Sequence, residues 1–283
     1  MTTPGAIVAR LDHIAVAAET RAEQWPRYAT ELGGRWHSGG GTMGFTTGQL
    51  MYANGVKVEA IEPYQVEQDD FLRRFLDKFG PGTHHITFKV QDLARGVELS
   101  RQRGLEPATV RIDSPTWREV FFRPVDGGGI VVQLTERLGT PEPRRPPPSL
   151  PPPPAIGPAS LDRVVHVVAD LAPVRLLYAD LLAGIPASTG DATGPGSPVD
   201  GIEEGEVEAF ELRWPEGGCI RFLRPLGPGP MAEWLGDRRG RIHHLAFTAV
   251  EPERAAGARP ALDGWYEVPP EANLGVRLLL RPG

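Results

Sequence analysis

Two stretches of this chain lie over each other without a gap, LDHIAVAAETRAEQWPRYATELGG (11–34) and LDRVVHVVADLAPVRLLYADLLAG (161–184), at an offset of 150 residues. Leu11/Leu161, Asp12/Asp162, Tyr28/Tyr178, Leu32/Leu182 and Gly34/Gly184 coincide. Two more matches follow in the same order: GVKVEAIEP (55–63) finds GCIRFLRP (218–225), and THHITFKV (83–90) finds IHHLAFTA (242–249) at an offset of 159. Three ordered matches indicate an internal duplication, so both halves must share one topology.

Between the copies, 10 of the 18 residues from Pro141 to Pro158 are proline. Proline fixes φ and removes amide donors, so this stretch is neither helix nor central strand but an extended, semi-rigid spacer. The expected organisation is a first module over 1–140, a linker over 141–158 and a second module over 159–283. A length of 283 residues suits two domains.

Each half reads as alternating strands and helices ending in a hairpin. LDHIAVA is an apolar strand, and Thr20–Leu32 reads as a helix stopped by Gly33-Gly34. WHSGGGT reads as a glycine-rich loop carrying His37. FLRRFLDKFG spaces Phe71, Leu72, Phe75, Leu76 and Phe79 as on a helix. WREVFFRPVDGGGIVVQL is two strand runs around a turn signal. The fold class is α+β.

A formal charge of −6 argues against a nucleic-acid or anionic-membrane surface. No apolar run approaches the ~18 residues of a membrane span, and MTTPGAIVARLDHI lacks the pattern of a signal peptide. Cys219 is the single cysteine, which excludes an intrachain disulfide and multi-Cys metal sites. The expectation is a cytoplasmic protein, monomer or homodimer, whose partner is a small molecule.

At LDHIAVA, VKVEAIEP, GPGTHHITFKVQDL and DGGGIVVQLTE the chain resembles the vicinal-oxygen-chelate superfamily of glyoxalases, bleomycin-resistance proteins and extradiol dioxygenases, in its methylmalonyl-CoA epimerase and glyoxalase branch. The resemblance covers nearly all of residues 10–137 and, more weakly, 160–283. It implies tandem modules, each of paired βαβββ units curved into a half-open barrel. It also implies one divalent metal (Ni, Co, Zn, Mn or Fe) held by His13, Glu59, His85 and Gln133.

Strand parity bears on those positions separately, because alternate residues face opposite sides. His85, Thr87 and Lys89 share one face, opposite Ile86, Phe88 and Val90; Lys57 and Glu59 lie opposite Val58 and Ala60. Val131, Gln133 and Thr135 share a face, as do Leu11, His13 and Ala15. The apolar faces are expected to pack on helices, leaving the four candidates in one cup. His84 falls on the apolar face and reads as a packed histidine.

The isomerases of that branch carry a glutamate where this chain has Gln133. Glutamine offers a carbonyl oxygen but takes up no proton at neutral pH, so Glu59 is the expected catalytic base. In the second module His13 aligns with Arg163, Glu59 with Arg221, and Gln133 falls near Leu279; His244 persists opposite His85. Arginine offers no acceptor to a cation, so this copy is structural, or binds an anion through Arg163, Arg221 and His244. GIEEGEVEAFE (201–211) can supply counter-charge, and His166 reads as packed. The leading expectation is a metal-dependent isomerase or lyase acting on a small oxygen-rich substrate. The alternatives are a bleomycin-resistance-like binder and an Fe(II) extradiol-type dioxygenase.

Overall fold

The structure, a computed structural model, describes residues 5–42, 44–139, 145–187, 206–215 and 217–283. Its first half contributes eight strands: β1 (Ala9–Ala17), β2 (Arg35–Thr42), β3 (Gly44–Met51), β4 (Lys57–Tyr64), β5 (Gly82–Val90), β6 (Thr109–Arg111), β7 (Trp117–Phe122) and β8 (Val131–Arg137). Its second half contributes β9 (Ser160–Val168), β10 (Ile185–Pro186), β11 (Val207–Arg213), β12 (Cys219–Pro225), β13 (Gly240–Ala249), β14 (Arg259–Pro260), β15 (Tyr266–Val268) and β16 (Leu278–Pro282). Each half forms one eight-stranded sheet, in the orders β2-β3-β4-β1-β5-β8-β7-β6 and β10-β11-β12-β9-β13-β16-β15-β14. The second order is the first with eight added to every number. Within each sheet the first strand of a four-strand unit runs parallel to its last. The chain is thus two tandem modules of paired βαβββ units.

Strand registers place the two copies on one another residue by residue. Glu59 pairs with Ala15 across β4 and β1, and Arg221 pairs with Val165 across β12 and β9. Gln133 pairs with Thr87, and Leu279 with Ala246. The offsets of 150 and 159 read from the sequence carry Ala15 to Val165 and Thr87 to Ala246, so the alignment holds in space.

The expected helix over Thr20–Leu32 is instead a 3₁₀ turn (Arg21–Gln24) followed by a π-helical turn (Pro26–Glu31). The second copy repeats the wide turn over Arg175–Leu181. Both end alike, with Gly34 donating to the Tyr28 carbonyl at 3.0 Å and Gly184 to the Tyr178 carbonyl at 2.9 Å. A Cβ on Gly34 or Gly184 would lie 2.5 or 2.7 Å from those same carbonyls, so only glycine closes the turn. WHSGGGT is no loop but strand β2, with exposed His37 at a bulge between Trp36 and Ser38. Gly39 pairs with Gly48, and both leave room for the Trp36 ring.

By contact density the chain divides into two compact units, one of Met1–Asp12, His85–Thr140 and Arg163–His243, the other of His13–His84, Pro141–Asp162 and His244–Gly283. In the first, Phe88 packs on Tyr178 and Trp214. The Tyr178 hydroxyl donates to the Gly127 carbonyl at 3.2 Å, and His166 Nε2 donates to the Gly128 carbonyl at 2.7 Å. In the second, Asn273 donates to the buried Tyr28 hydroxyl at 3.2 Å, and Tyr52 packs edge-on against Phe247. The prolines between the modules are not a free spacer there. Residues 145–158 carry no helix or strand, but Trp25 Nε1 donates to Ser149 Oγ at 3.3 Å. Pro141–Arg144 lie outside the described residues, as do residues 201–205 of the acidic stretch.

Candidate metal centre

Three of the four expected ligands converge. One ligand atom from each of His13, Glu59 and His85 lies within 4.8 Å of the others, and all three side chains are buried. His13 sits on β1, His85 on β5, and Glu59 is two residues along β4 from Lys57, the register partner of His13. His13 Nε2 and Glu59 Oε2 face each other at 3.3 Å. Donors bound to one ion at about 2.1 Å stand about 3–4 Å apart, so this spacing suits two ligands of a single cation.

Gln49, which sequence reasoning missed, holds the outer atoms of the same pair. It is the register partner of Glu59 across β3 and β4, and its amide contacts His13 Nδ1 at 3.3 Å and donates to Glu59 Oε1 at 2.9 Å. Ser38 Oγ fixes the other end of the amide, donating to Gln49 Oε1 at 2.9 Å. The inner atoms, Nε2 and Oε2, therefore face each other with their outer neighbours engaged.

The face bearing these ligands was expected to be free of helices, and it is not. Ala15, Ala17 and Ile61 lie on it, packed under Leu72 and Leu76 of the helix Phe71–Phe79. That helix covers the apolar part of the face. His84 packs edge-on against Phe75 of that same helix, with ring centroids 4.8 Å apart. Burial outweighs the pull of the Glu59 carboxylate and pushes its pKa down to about 4, so it is neutral and packed.

Gln133 lies on β8, opposite Thr87. Thr87 Oγ1 donates to Gln133 Oε1 at 2.8 Å, and Gln133 Nε2 donates to Glu119 Oε2 at 3.0 Å. Glu119, on β7, is a partner of Gln133 that the sequence did not single out. Its Oε2 also accepts from Trp117 Nε1 at 3.2 Å, and its Oε1 from Arg111 at 2.8 Å.

Two imidazoles, a carboxylate and an amide oxygen are a donor set of mixed nitrogen and oxygen that suits a first-row divalent metal and no hard all-oxygen cation. The residues fit a divalent ion on that ground. Lys57 is buried as well and shares the strand parity of Glu59.

In the second module, Arg163 lies 3.5 Å from Glu211, which also accepts from Arg213 at 2.8 Å. Arg221 is buried directly opposite Glu211 in the β11–β12 register. Glu211 thus supplies counter-charge from the acidic stretch. His244 is buried on β13. Cys219 is buried too, and desolvation holds its thiol up at about 12, so it is an unreactive core residue.

A model of the glyoxalase/bleomycin resistance protein/dioxygenase superfamily matches residues 12–121. No curated protein matches the chain. Among solved structures, methylmalonyl-CoA epimerase from Mycobacterium tuberculosis is 24% identical with a TM-score of 0.42, covering 47% of this chain and 91% of that one. A mutant of 4-hydroxymandelate synthase from Streptomyces coelicolor is 13% identical with a TM-score of 0.61, covering 98% of this chain and 94% of that one. The second likeness extends the shared fold over both modules. Residues 12–121 of the first module thus match the glyoxalase/bleomycin resistance protein/dioxygenase superfamily model, and the second module repeats the first's topology.

Proposed function

We propose that this chain is a metal-dependent enzyme of the isomerase or lyase kind, working on a small substrate whose neighbouring oxygens chelate one divalent ion. The convergence of buried His13, Glu59 and His85 carries the reading. These three would hold the ion, with Gln133 as the fourth donor. The ion, when bound, supplies Lewis acidity to the substrate oxygens. Glu59 is the base: Gln49 holds its Oε1, and Oε2, on letting go of the ion, would accept the substrate proton. Gln133 only binds, because an amide does not titrate, so the chemistry proposed is single-base. The second module, with Arg163, Arg221 and His244, is a scaffold whose arginines are balanced internally by Glu211 and its neighbours.

Elemental analysis of purified protein tests this. One equivalent of a first-row metal, lost in His85→Ala, is the expected result; metal-free protein overturns it. Buried Lys57 favours one second reading, a metal-free small-molecule binder in which an ammonium serves Glu59. Tight binding of a bulky aromatic ligand by metal-free protein would select it. The two-histidine, one-carboxylate composition also suits non-haem iron. Oxygen uptake with catechols on Fe(II) loading would select a dioxygenase.

A further inference from the structure

We infer that Glu119 is a positioning residue for the metal centre, fixing Gln133 so that its carbonyl oxygen and not its amide nitrogen is offered as the fourth ligand. The inference rests on the metal-dependent reading above. A terminal amide can sit either way round, and its two ends are chemically opposite: the oxygen ligates a cation, while the NH₂ repels one. Glu119 decides between them. A carboxylate only accepts, so the end of Gln133 that lies 3.0 Å from Glu119 Oε2 must be the NH₂. Thr87 then donates to Oε1 at 2.8 Å, occupying one of its two lone pairs and leaving the other.

Strand geometry delivers all of these groups to one side of the sheet. Thr87 is the register partner of Gln133, and His85 follows the same parity two residues earlier on β5. Phe121 is the register partner of Gln133 on β7, so Glu119, two residues before it, reaches the same face. Glu119 is held in its turn by Trp117 Nε1 and Arg111, with only 14% of its side chain exposed. It has little freedom to swing away.

The arrangement also gives a physical reason for glutamine at position 133. A glutamate there would face the Glu119 carboxylate where an amide hydrogen now bridges them. Two carboxylates at such a distance do not both ionise readily.

Cobalt(II) titration of the metal-stripped full chain, followed by visible absorption, reads affinity and coordination number together. Glu119→Ala is expected to weaken cobalt binding about 10- to 100-fold, the range for lost outer partners of a ligand. Its absorption should change as in Gln133→Ala. Glu119→Gln, whose carbonyl still accepts from the Gln133 amide, should recover most of the loss. The double variant should bind no more weakly than Gln133→Ala alone, because both act through one oxygen. Additive losses, or wild-type cobalt affinity in Glu119→Ala, overturn the inference. Should Glu119→Ala fail to fold, Thr87→Val approaches the same oxygen from its other partner. It should weaken binding several-fold with the same spectral change, and an unaltered titration overturns the inference. The underlying reading fails separately, and this inference with it, if wild-type protein takes up no cobalt or His85→Ala binds as wild type does.

Discussion

The two modules share a scaffold and differ in what the scaffold presents. At equivalent register positions, His13 becomes Arg163, Gln49 becomes Glu211, Glu59 becomes Arg221 and Gln133 becomes Leu279. Every acceptor for a cation but one has been replaced by a cation, a salt-bridged glutamate or a hydrocarbon. The packing beside these positions is retained: Ala15, Ala17, Ile61, Leu72 and Leu76 are answered by Val165, Val167, Leu223, Met231 and Leu235. Apolar burial and register therefore specify the module, and the polar face is free to change chemistry without changing the fold.

If scaffolding is the common property, damage to it should cost both modules alike. Gly129 (φ +95°) and Gly275 (φ +77°) occupy corresponding turns ahead of β8 and β16. A Cβ on Gly129 would lie 2.0 Å from the Gly240 carbonyl oxygen, and one on Gly275 2.0 Å from that of Pro81. Backbone cannot yield as a side-chain tip does, and the left-handed φ adds its own strain. Gly129→Ala and Gly275→Ala should each cost about 3 kcal/mol or more, measured by urea denaturation. A loss in one module only would break the equivalence.

If the site is the difference, substitutions there should part the modules. His85→Ala should weaken metal binding more than about 100-fold, beyond the range for outer partners. His244→Ala, at the same position of the second copy, should leave stoichiometry and affinity unchanged by calorimetric titration. Equal effects would mean that the arginine-bearing module also takes part in holding the ion.

What the sequence made legible follows from which interactions are periodic. The repeat follows from ordered self-matches, and the faces of β1, β4, β5 and β8 follow from apolar alternation. Gln49 and Glu119 were missed because each reaches the site across a strand pair, and register between strands is not written in either strand alone. The eight residues between β7 and β8 left that register open, so Glu119 could not be counted onto the face of Gln133. Gly39, Gly40 and Gly41 suggested a loop by their intrinsic weakness in strands. Gly39 sits in β2 because the Trp36 ring fills the space a Cβ would need. The π-helical turns escaped for a similar reason, since their wide closure is set by Gly34 and Gly184 against a carbonyl and not by side-chain period.

His166 separates the modules by a proton. Its counterpart at the offset of 150 is buried Val16. Burial holds the His166 pKa down to about 4, from an ordinary value of 6.5. The unfolded chain therefore binds the proton first as pH falls. Stability supplied by neutral His166 is complete above pH 6.5 and declines down to about pH 4, by about 1.4 kcal/mol per pH unit where the slope is full. His166→Val, which installs the first module's residue, should flatten the pH dependence of the urea midpoint by one proton whatever it does to stability at pH 7. An unchanged slope would mean that His166 titrates alike in the folded and unfolded chain.

The smallest expected effect tests the correspondence at a single backbone angle. Gly33 holds φ +65°, and its counterpart Ala183 holds φ +52°. The second module thus carries an L-residue in the left-handed region, at a cost of about 1–2 kcal/mol per residue. Part of that cost returns on substitution by glycine, which loses about 0.5–1 kcal/mol more backbone entropy on folding. Ala183→Gly should therefore stabilise the chain by about 0.5–1 kcal/mol. The reverse change in the first module, Gly33→Ala, should cost more than Ala183 does now, because its Cβ would stand 2.8 Å from the Gly157 carbonyl oxygen. Urea midpoints of the two variants, measured side by side, should move in opposite directions. Movement in the same direction would mean that the two turns, alike in angle, are held by different forces.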